Sequence, residues 1–227
     1  MVKPTVKRVL MDVDGTMTVA SDGRSMEKSP LRHLTELVTA RHHLSAAEAE
    51  QRILHCGDPN VQCLSEFLPM LEIGPELYFN VLKEDLSQHI YIPEDTVYFL
   101  KAMREHGIPV CAATTNSPFM TLVKLAVGGL ADIHGSPYIS AFHPGCEFRD
   151  PLGKFSEHYF PNILKHHPYD PETLMMLGDE PARDLLPALK AGIRYGAVID
   201  RNQKEEIIVR NGGFFVSSLK FLADMIN

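Results

Sequence analysis

Residues 6–16 read Val-Lys-Arg-Val-Leu-Met-Asp-Val-Asp-Gly-Thr. The run from Val6 to Val13 is short, largely apolar and bounded by a glycine turn, which is the pattern of a buried β-strand. Asp12 and Asp14 close it. In an extended chain, residues two apart share a face, so both carboxylates can point at one site. Gly15 lets the chain turn sharply. Two carboxylates this close repel, and at least one of them needs a cation or a proton. Aspartates at a strand end also serve as turn or cap residues, so this stretch alone leaves both readings open.

Outward from this strand the pattern changes. Residues 29–89 carry helical stripes and no convincing strand. Leu31, Leu34 and Val38 form the first stripe. Ser45 and Glu48 have the spacing of a capping box and open the second. Val61, Leu64, Leu68 and Leu71 predict a third, and Phe79, Leu82 and Leu86 a fourth after Gly74-Pro75. Beyond His89, strands and helices alternate. Pro93 opens a helix at its first position and the helix stops at Gly107. Strands are expected over residues 108–113, 173–177, 195–199 and 214–216. Helices are expected over 119–127, over 158–167, and in a short segment ending at Gly192. Pro187 fits only a first helical turn, which makes Asp184 the expected N-cap of that segment. Strands alternating with helices predict an α/β fold, a Rossmann-like doubly wound parallel sheet. Its core comprises residues 1–16 and 90–227, and residues 17–89 form a helical insertion. At roughly 150 residues per domain, 227 residues fit one domain plus such an insertion.

The bulk numbers narrow the function. Twenty-two basic and 29 acidic residues give a net charge of −7. That argues against a sequence-independent nucleic-acid binder, which needs a basic face. No stretch approaches the roughly 20 apolar residues of a membrane span. The N-terminus lacks a signal-peptide core. No membrane association and a cytoplasmic location are expected. Cys56, Cys63, Cys111 and Cys146 show neither a C-x-x-C pair nor a zinc-like spacing with histidine, and read as free thiols. The histidine pairs 42–43 and 166–167 read as solvated helix ends.

In an open α/β sheet, ligands bind beyond the carboxyl ends of the strands, and four polar clusters fall there. The first is Asp12 and Asp14. The second is Thr114-Thr115-Asn116-Ser117, whose hydroxyls, amide and backbone N–H groups at a helix start make an anion seat. The third is Lys154, after Gly153. The stretch is not a P-loop, since the position five before Gly153 is Phe148. The fourth is Gly178-Asp179, followed by Asp184. Each cluster alone has an ordinary reading as cap, turn or solvated surface.

Taken in order, D-x-D-G-T, strand-T-N, K and G-D-x-x-x-x-D resemble the haloacid dehalogenase (HAD) superfamily along the whole chain. The closest likeness is to its C1-capped phosphatases and β-phosphoglucomutase-like members. The resemblance implies that residues 17–89 are a C1-type cap, Asp12 a nucleophile forming an aspartyl-phosphate, and Asp14 a general acid/base. Thr115, Asn116 and Lys154 would hold phosphate. Asp12, Asp14 (through its backbone carbonyl), Asp179 and Asp184 would form a Mg²⁺ site. The chemistry is coherent: a cation and a lysine offset the repulsion between carboxylate and phosphate, and the leaving alkoxide takes a proton from Asp14. Dehalogenases lack an aspartate at the position of Asp14, so its presence favours phosphate esters. Arg24, His55 and Asn60 are the polar residues of the insertion that could touch a substrate, which is expected to be a small phosphorylated metabolite. A phosphomutase shares every one of these motifs, and a non-catalytic binding protein on the same fold is the third reading. Phe155 stands where many relatives have proline, and Pro187 where they have a small residue.

Overall fold

The computed structural model describes residues 3–59, 62–150 and 152–226. Strand β1 (Arg8–Met11) lies in the interior of a seven-stranded sheet. The chain then makes a two-residue strand β2 (Val19–Ala20) and three helices, α1 (Pro30–His42), α2 (Ala46–Cys56) and α3 (Pro75–His89). It returns through β3 (Ile90–Tyr91), which pairs antiparallel with β2. Then follow α4 (Glu94–Glu105), β4 (Val110–Thr114), α5 (Pro118–Val127), β5 (Ile139–Pro144) and α6 (Tyr159–His166). The chain ends with β6 (Leu174–Gly178), α7 (Leu186–Lys190), β7 (Tyr195–Ile199), β8 (Ile207–Arg210), β9 (Gly213–Val216) and α8 (Leu219–Ile226). The sheet order is β5-β4-β1-β6-β7-β9-β8, parallel except for the edge pair β8/β9.

Side-chain alternation explains the two layers of helices. Val9, Met11, Val110, Ala112, Met175 and Leu177 face one side, where they pack with Phe99, Leu100 and Met103 of α4 and Leu219 and Leu222 of α8. Leu10, Cys111, Ala113, Leu174 and Met176 face the other, against Tyr159, Phe160 and Ile163 of α6. Both faces are covered, so the inner strands read as continuous apolar runs. A one-residue slip would exchange the two sets of side chains, and the register is held by both cores at once.

The helices between β2 and β3 build a separate apolar cluster that includes Leu34, Val38, Ile53, Phe67, Leu71 and Leu82. It continues onto the core through Leu122, Val123 and Ala126 of α5. The capping box at Ser45 is present, with Glu48 N–H donating to Ser45 Oγ (3.3 Å) and Ser45 N–H to Glu48 Oε2 (2.8 Å).

Several elements differ from the sequence expectation. The stripe through Leu64, Leu68 and Leu71 is not an α-helix but a 3₁₀ turn, Leu64–Glu66, followed by further turns. Pro69 has no N–H to donate and interrupts an α-helical ladder there; Val61 lies outside the described residues. Pro93 is the N-cap of α4 and not its first helical residue. Asp184 is not an N-cap: Pro181–Leu185 forms a single π-helical turn before α7, and Asp184 sits within it. Its Oδ2 accepts from Glu180 N–H (3.0 Å). The fold also contains β2, β3, β5 and β8, which the sequence pattern did not predict.

Candidate active site

The carboxyl ends of β1, β4 and β6 are adjacent in the sheet, which brings the distant motifs together. Asp12 leaves the end of β1 and Asp179 the end of β6, while Asp184 reaches back from the π-helical turn. One oxygen from each lies within 4.8 Å of the others. Lys154 comes from the 3₁₀ turn Gly153–Phe155. Its Nζ donates to Asp12 Oδ1 at 2.6 Å and forms an ion pair with Asp184 Oδ1, also at 2.6 Å. The second contact has ion-pair distance without hydrogen-bond geometry, which leaves that buried oxygen without a directed donor. Thr16 Oγ1 donates to Asp179 Oδ1 (3.2 Å).

Two glycines make this crowding possible. Gly15 has φ +77°, and a Cβ there would overlap the Asp179 carboxylate. A Cβ on Gly178 would overlap the carboxylate of Asp184. Burial pushes the ionisation of Asp12 up to about 7, with Asp184 and Asp179 adding to the rise against the opposing effect of Lys154. Burial also lifts Asp179 to about 6, again with help from Asp184. For Lys154, burial works against the charged form, but the charges of Asp12 and Asp184 outweigh it and the pKa rises.

These residues fit a divalent cation. Three carboxylates and one ammonium leave a formal charge of −2. Their oxygens are hard ligands of the kind Mg²⁺ prefers, and Asp184 Oδ1 lacks a directed donor. Asp12, Asp179 and Asp184 are the side chains placed to hold such an ion. Asp14 contributes no carboxylate to this group.

Asp14 makes a different set of contacts. Lys124 Nζ donates to Asp14 Oδ1 (2.6 Å), Asp14 Oδ2 (2.8 Å) and Asn116 Oδ1 (3.0 Å). Asn116 Nδ2 donates to Asp14 Oδ2 (2.7 Å) and Thr114 Oγ1 (2.8 Å). The triangle of Asp14, Asn116 and Lys124 fixes the second carboxylate independently of the first. Sequence reasoning missed Lys124. The signal was a lysine inside the apolar run of α5: such a residue is 5% exposed here, and a lysine is rarely buried unless paired. It also missed Arg201, which donates to the carbonyls of Gly15 (2.9 Å) and Thr16 (3.0 Å) and pairs with Asp95 (3.2 Å), bracing the turn after Asp14.

Thr115 is exposed, whereas Thr114 is buried. Thr115 lines a cavity of about 250 Å³ between the core and the inserted helices, together with Gln62, Cys63, Tyr78, Phe119 and Met120. None of the cavity's described lining residues carries a formal charge. Two of the three proposed substrate contacts are elsewhere. Arg24 is exposed and pairs with Asp22 and Glu27 (both 3.3 Å), because short-range carboxylates in its own loop hold it. His55 lies on the outer side of α2 with Nδ1 2.5 Å from Gln51 O, in a separate surface depression with Leu44 and Gln51. Asn60 lies outside the described residues.

No family model matches the sequence, nor does any curated protein. Solved structures do match in fold. A HAD phosphatase from Thermococcus onnurineus superposes with a TM-score of 0.56 at 17% identity, covering 98% of each chain. The putative HAD-hydrolase YfnB from Bacillus subtilis, bound to magnesium, gives 0.55 at 14% identity, covering 99% of this chain and 100% of that one. The L-2-haloacid dehalogenase RSc1362 gives 0.56 at 13% identity, covering 98% and 99%. The chain has the fold of the HAD-like hydrolases along nearly its whole length. That fold carries both phosphatases and dehalogenases, so the chemistry must be argued from the site. Among the described residues, no helix is long and apolar enough to cross a membrane.

Proposed function

We propose that this chain is a Mg²⁺-dependent phosphatase that hydrolyses a small phosphate monoester through an aspartyl-phosphate on Asp12, with residues 17–89 acting as a cap. The observation that carries this reading is a second carboxylate, Asp14, two residues past Asp12 and held separately by Lys124 and Asn116. A halide leaves without a proton, whereas an alkoxide needs one. A second, separately held carboxylate therefore has work in phosphate-ester chemistry and none in dehalogenation.

In this mechanism Asp12 attacks phosphorus, and the bond to the ester oxygen breaks as Asp14 gives that oxygen its proton. Lys154 offsets charge on the nucleophile side, and Thr115, exposed just ahead of α5, receives a phosphate oxygen. Asn116, expected from the sequence to do the same, has its N–H and amide donors engaged by Thr114 and Asp14 and positions Asp14 instead. Asp14 then takes a proton from water as that water attacks the acyl-phosphate, and Asp12 is regenerated. Mg²⁺, when bound at Asp12, Asp179 and Asp184, supplies Lewis-acid stabilisation of the phosphoryl oxygens. The uncharged, partly aromatic lining of the adjacent cavity suits a neutral leaving group better than a second phosphate.

Hydrolysis of p-nitrophenyl phosphate by the purified protein tests the reading. Activity should require Mg²⁺, stop with EDTA and disappear in Asp12→Asn. Full activity in EDTA or in that variant would refute it.

A further inference from the structure

A second group of potential ligands lies outside the catalytic carboxylates. His143 is on β5 and fully buried, Glu147 follows in the next turn, and His167 sits just beyond the end of α6. One ligand atom from each lies within 4.8 Å of the others. Glu147 Oε2 is 2.9 Å from His143 Nδ1, and its Oε1 is 2.7 Å from His167 Nε2. The imidazole centroids are 4.4 Å apart at 70°. One carboxylate thus bridges two imidazoles from separate elements. The sequence reading of His167 as a solvated helix end is overturned, because the chain beyond α6 folds its ring against His143 and stacks it on Tyr169 (5.3 Å, 19°).

We propose that His143, Glu147 and His167 form a binding site for a transition-metal dication of the Zn²⁺ or Co²⁺ class. The donor set is two imidazole nitrogens and a carboxylate, which selects such ions over Mg²⁺, whose preference is for oxygen ligands and water. An outer partner is in place: His143 Nε2 lies 3.0 Å from Tyr169 OH. When Nε2–H donates to that oxygen, the Nδ1 lone pair faces Glu147, the usual way a protein orients a ligating histidine. Burial is graded, with the His143 side chain at 0%, Glu147 at 20% and His167 at 29% exposure. One side is therefore open for ion access and for a water ligand.

Burial opposes the imidazolium of His143, but hydrogen bonds to Cys111 and Glu147, together with the Glu147 charge, outweigh it and push its pKa to about 9. The nearby cation is Arg8. It stacks over the Tyr169 ring at 4.5 Å and donates to Cys111 Sγ at 3.3 Å. Glu147 lies on the same connection as Lys154, so an ion here would fasten the segment that delivers that lysine.

Chelator-treated full-length protein, titrated with Co²⁺, tests the site. The Asp12→Asn variant weakens the oxygen site and leaves the histidines intact. One equivalent of Co²⁺ with the visible ligand-field bands of nitrogen ligation is expected in the wild type and in Asp12→Asn alike, beyond whatever the oxygen site takes up in the wild type. His167→Ala should lower the affinity by about 10-fold or more, since even outer-shell changes cost 10–100-fold. Because truncation could unfold the segment, Glu147→Gln, which keeps the shape, should give the same loss with unchanged circular dichroism. Absence of the bands in wild type, their loss in Asp12→Asn, or their full retention in both cluster variants would overturn the assignment.

Discussion

Lys154→Met isolates the electrostatics of the proposed catalytic centre. In the native protein one ammonium stands 2.6 Å from both Asp12 and Asp184. Methionine of similar reach fills the space but removes the charge, and the formal sum over the three carboxylates and the missing lysine falls from −2 to −3. Removing one partner of a buried pair costs about 3–5 kcal/mol. For a chain of this size, each kcal/mol moves Tm by about 2–4 °C, so the melting point should fall by about 6–20 °C at pH 8 without metal. Two conditions should shrink that loss. Mg²⁺ stabilises whichever state binds it, and a more negative site gains more, so saturating Mg²⁺ should raise the variant's Tm further than the wild type's. Acid should act in the same direction. The folded-state pKa of Asp12 is raised to about 7 from an ordinary 3.8. The folded protein therefore binds a proton there that the unfolded chain does not, and this contribution is complete below 3.8 and lost as pH rises through about 7. Without Lys154 that pKa rises further, so the deficit at pH 5 should be smaller than at pH 8. Differential scanning calorimetry at both pH values, with and without Mg²⁺, reads all of this. A deficit below about 1 kcal/mol, the size of an exposed pair, or equal Mg²⁺ increments in the two proteins would refute the buried-charge account.

Asp14→Asn should lower kcat on an alkyl phosphate by about 10²–10⁴-fold, the range for general acid–base catalysis. The loss should be much smaller on p-nitrophenyl phosphate, whose leaving group needs little proton assistance; equal losses on both substrates would contradict the role of Asp14. Gly178→Ala places a Cβ in the Asp184 carboxylate, and overpacking of this kind costs about 1–3 kcal/mol. Thermal melts should show that loss, and isothermal titration should show weaker Mg²⁺ binding, since Asp184 must move. Ser45→Ala removes the capping box of α2 and should cost about 1 kcal/mol, seen as a Tm drop of about 2–4 °C with kcat unchanged.

The sequence read well where one local rule decided the outcome. The buried strands β1, β4, β6 and β7 announce themselves as apolar runs, and Ser45 with Glu48 marks the start of α2. The elements that escaped sit at sheet edges. β5 carries Ser140 and His143 among its apolar residues and ends in Pro144, a composition tolerated only because one side of an edge strand is unpaired. β8 was missed although its turn is explicit. Asn211 and Gly212 have φ of +53° and +79°, the two positive values of a type I′ hairpin, and Asn-Gly is the strongest local signal for it. At the site, the motif order was enough to nominate Asp12, Asp179, Asp184 and Lys154, which the sheet places together. Pairings across the chain were not legible. Lys124 meets Asp14 over a separation of 110 residues, and Arg201 reaches Gly15 over 186. No local pattern encodes either contact. Arg24 and His55 do not line the cavity that holds Thr115, and polar character in a loop or on a helix says nothing about which way the segment faces.

The ladder between β2 and β3 has a further implication. Val19 pairs with Tyr91 and Ala20 with Ile90, so the chain departs from the core and rejoins it at neighbouring positions. Everything between them is tethered like a cassette in a single socket. A different segment, longer or shorter, could be accommodated there if it began and ended on two adjacent antiparallel strands and covered Leu122, Val123 and Ala126 of α5. Neither condition involves Asp12, Asp179 or Lys154. If the proposed function holds, substrate preference and phosphoryl chemistry are separable units of inheritance in this architecture, and a graft at these two points is the direct way to give the proposed catalytic carboxylates a new selectivity.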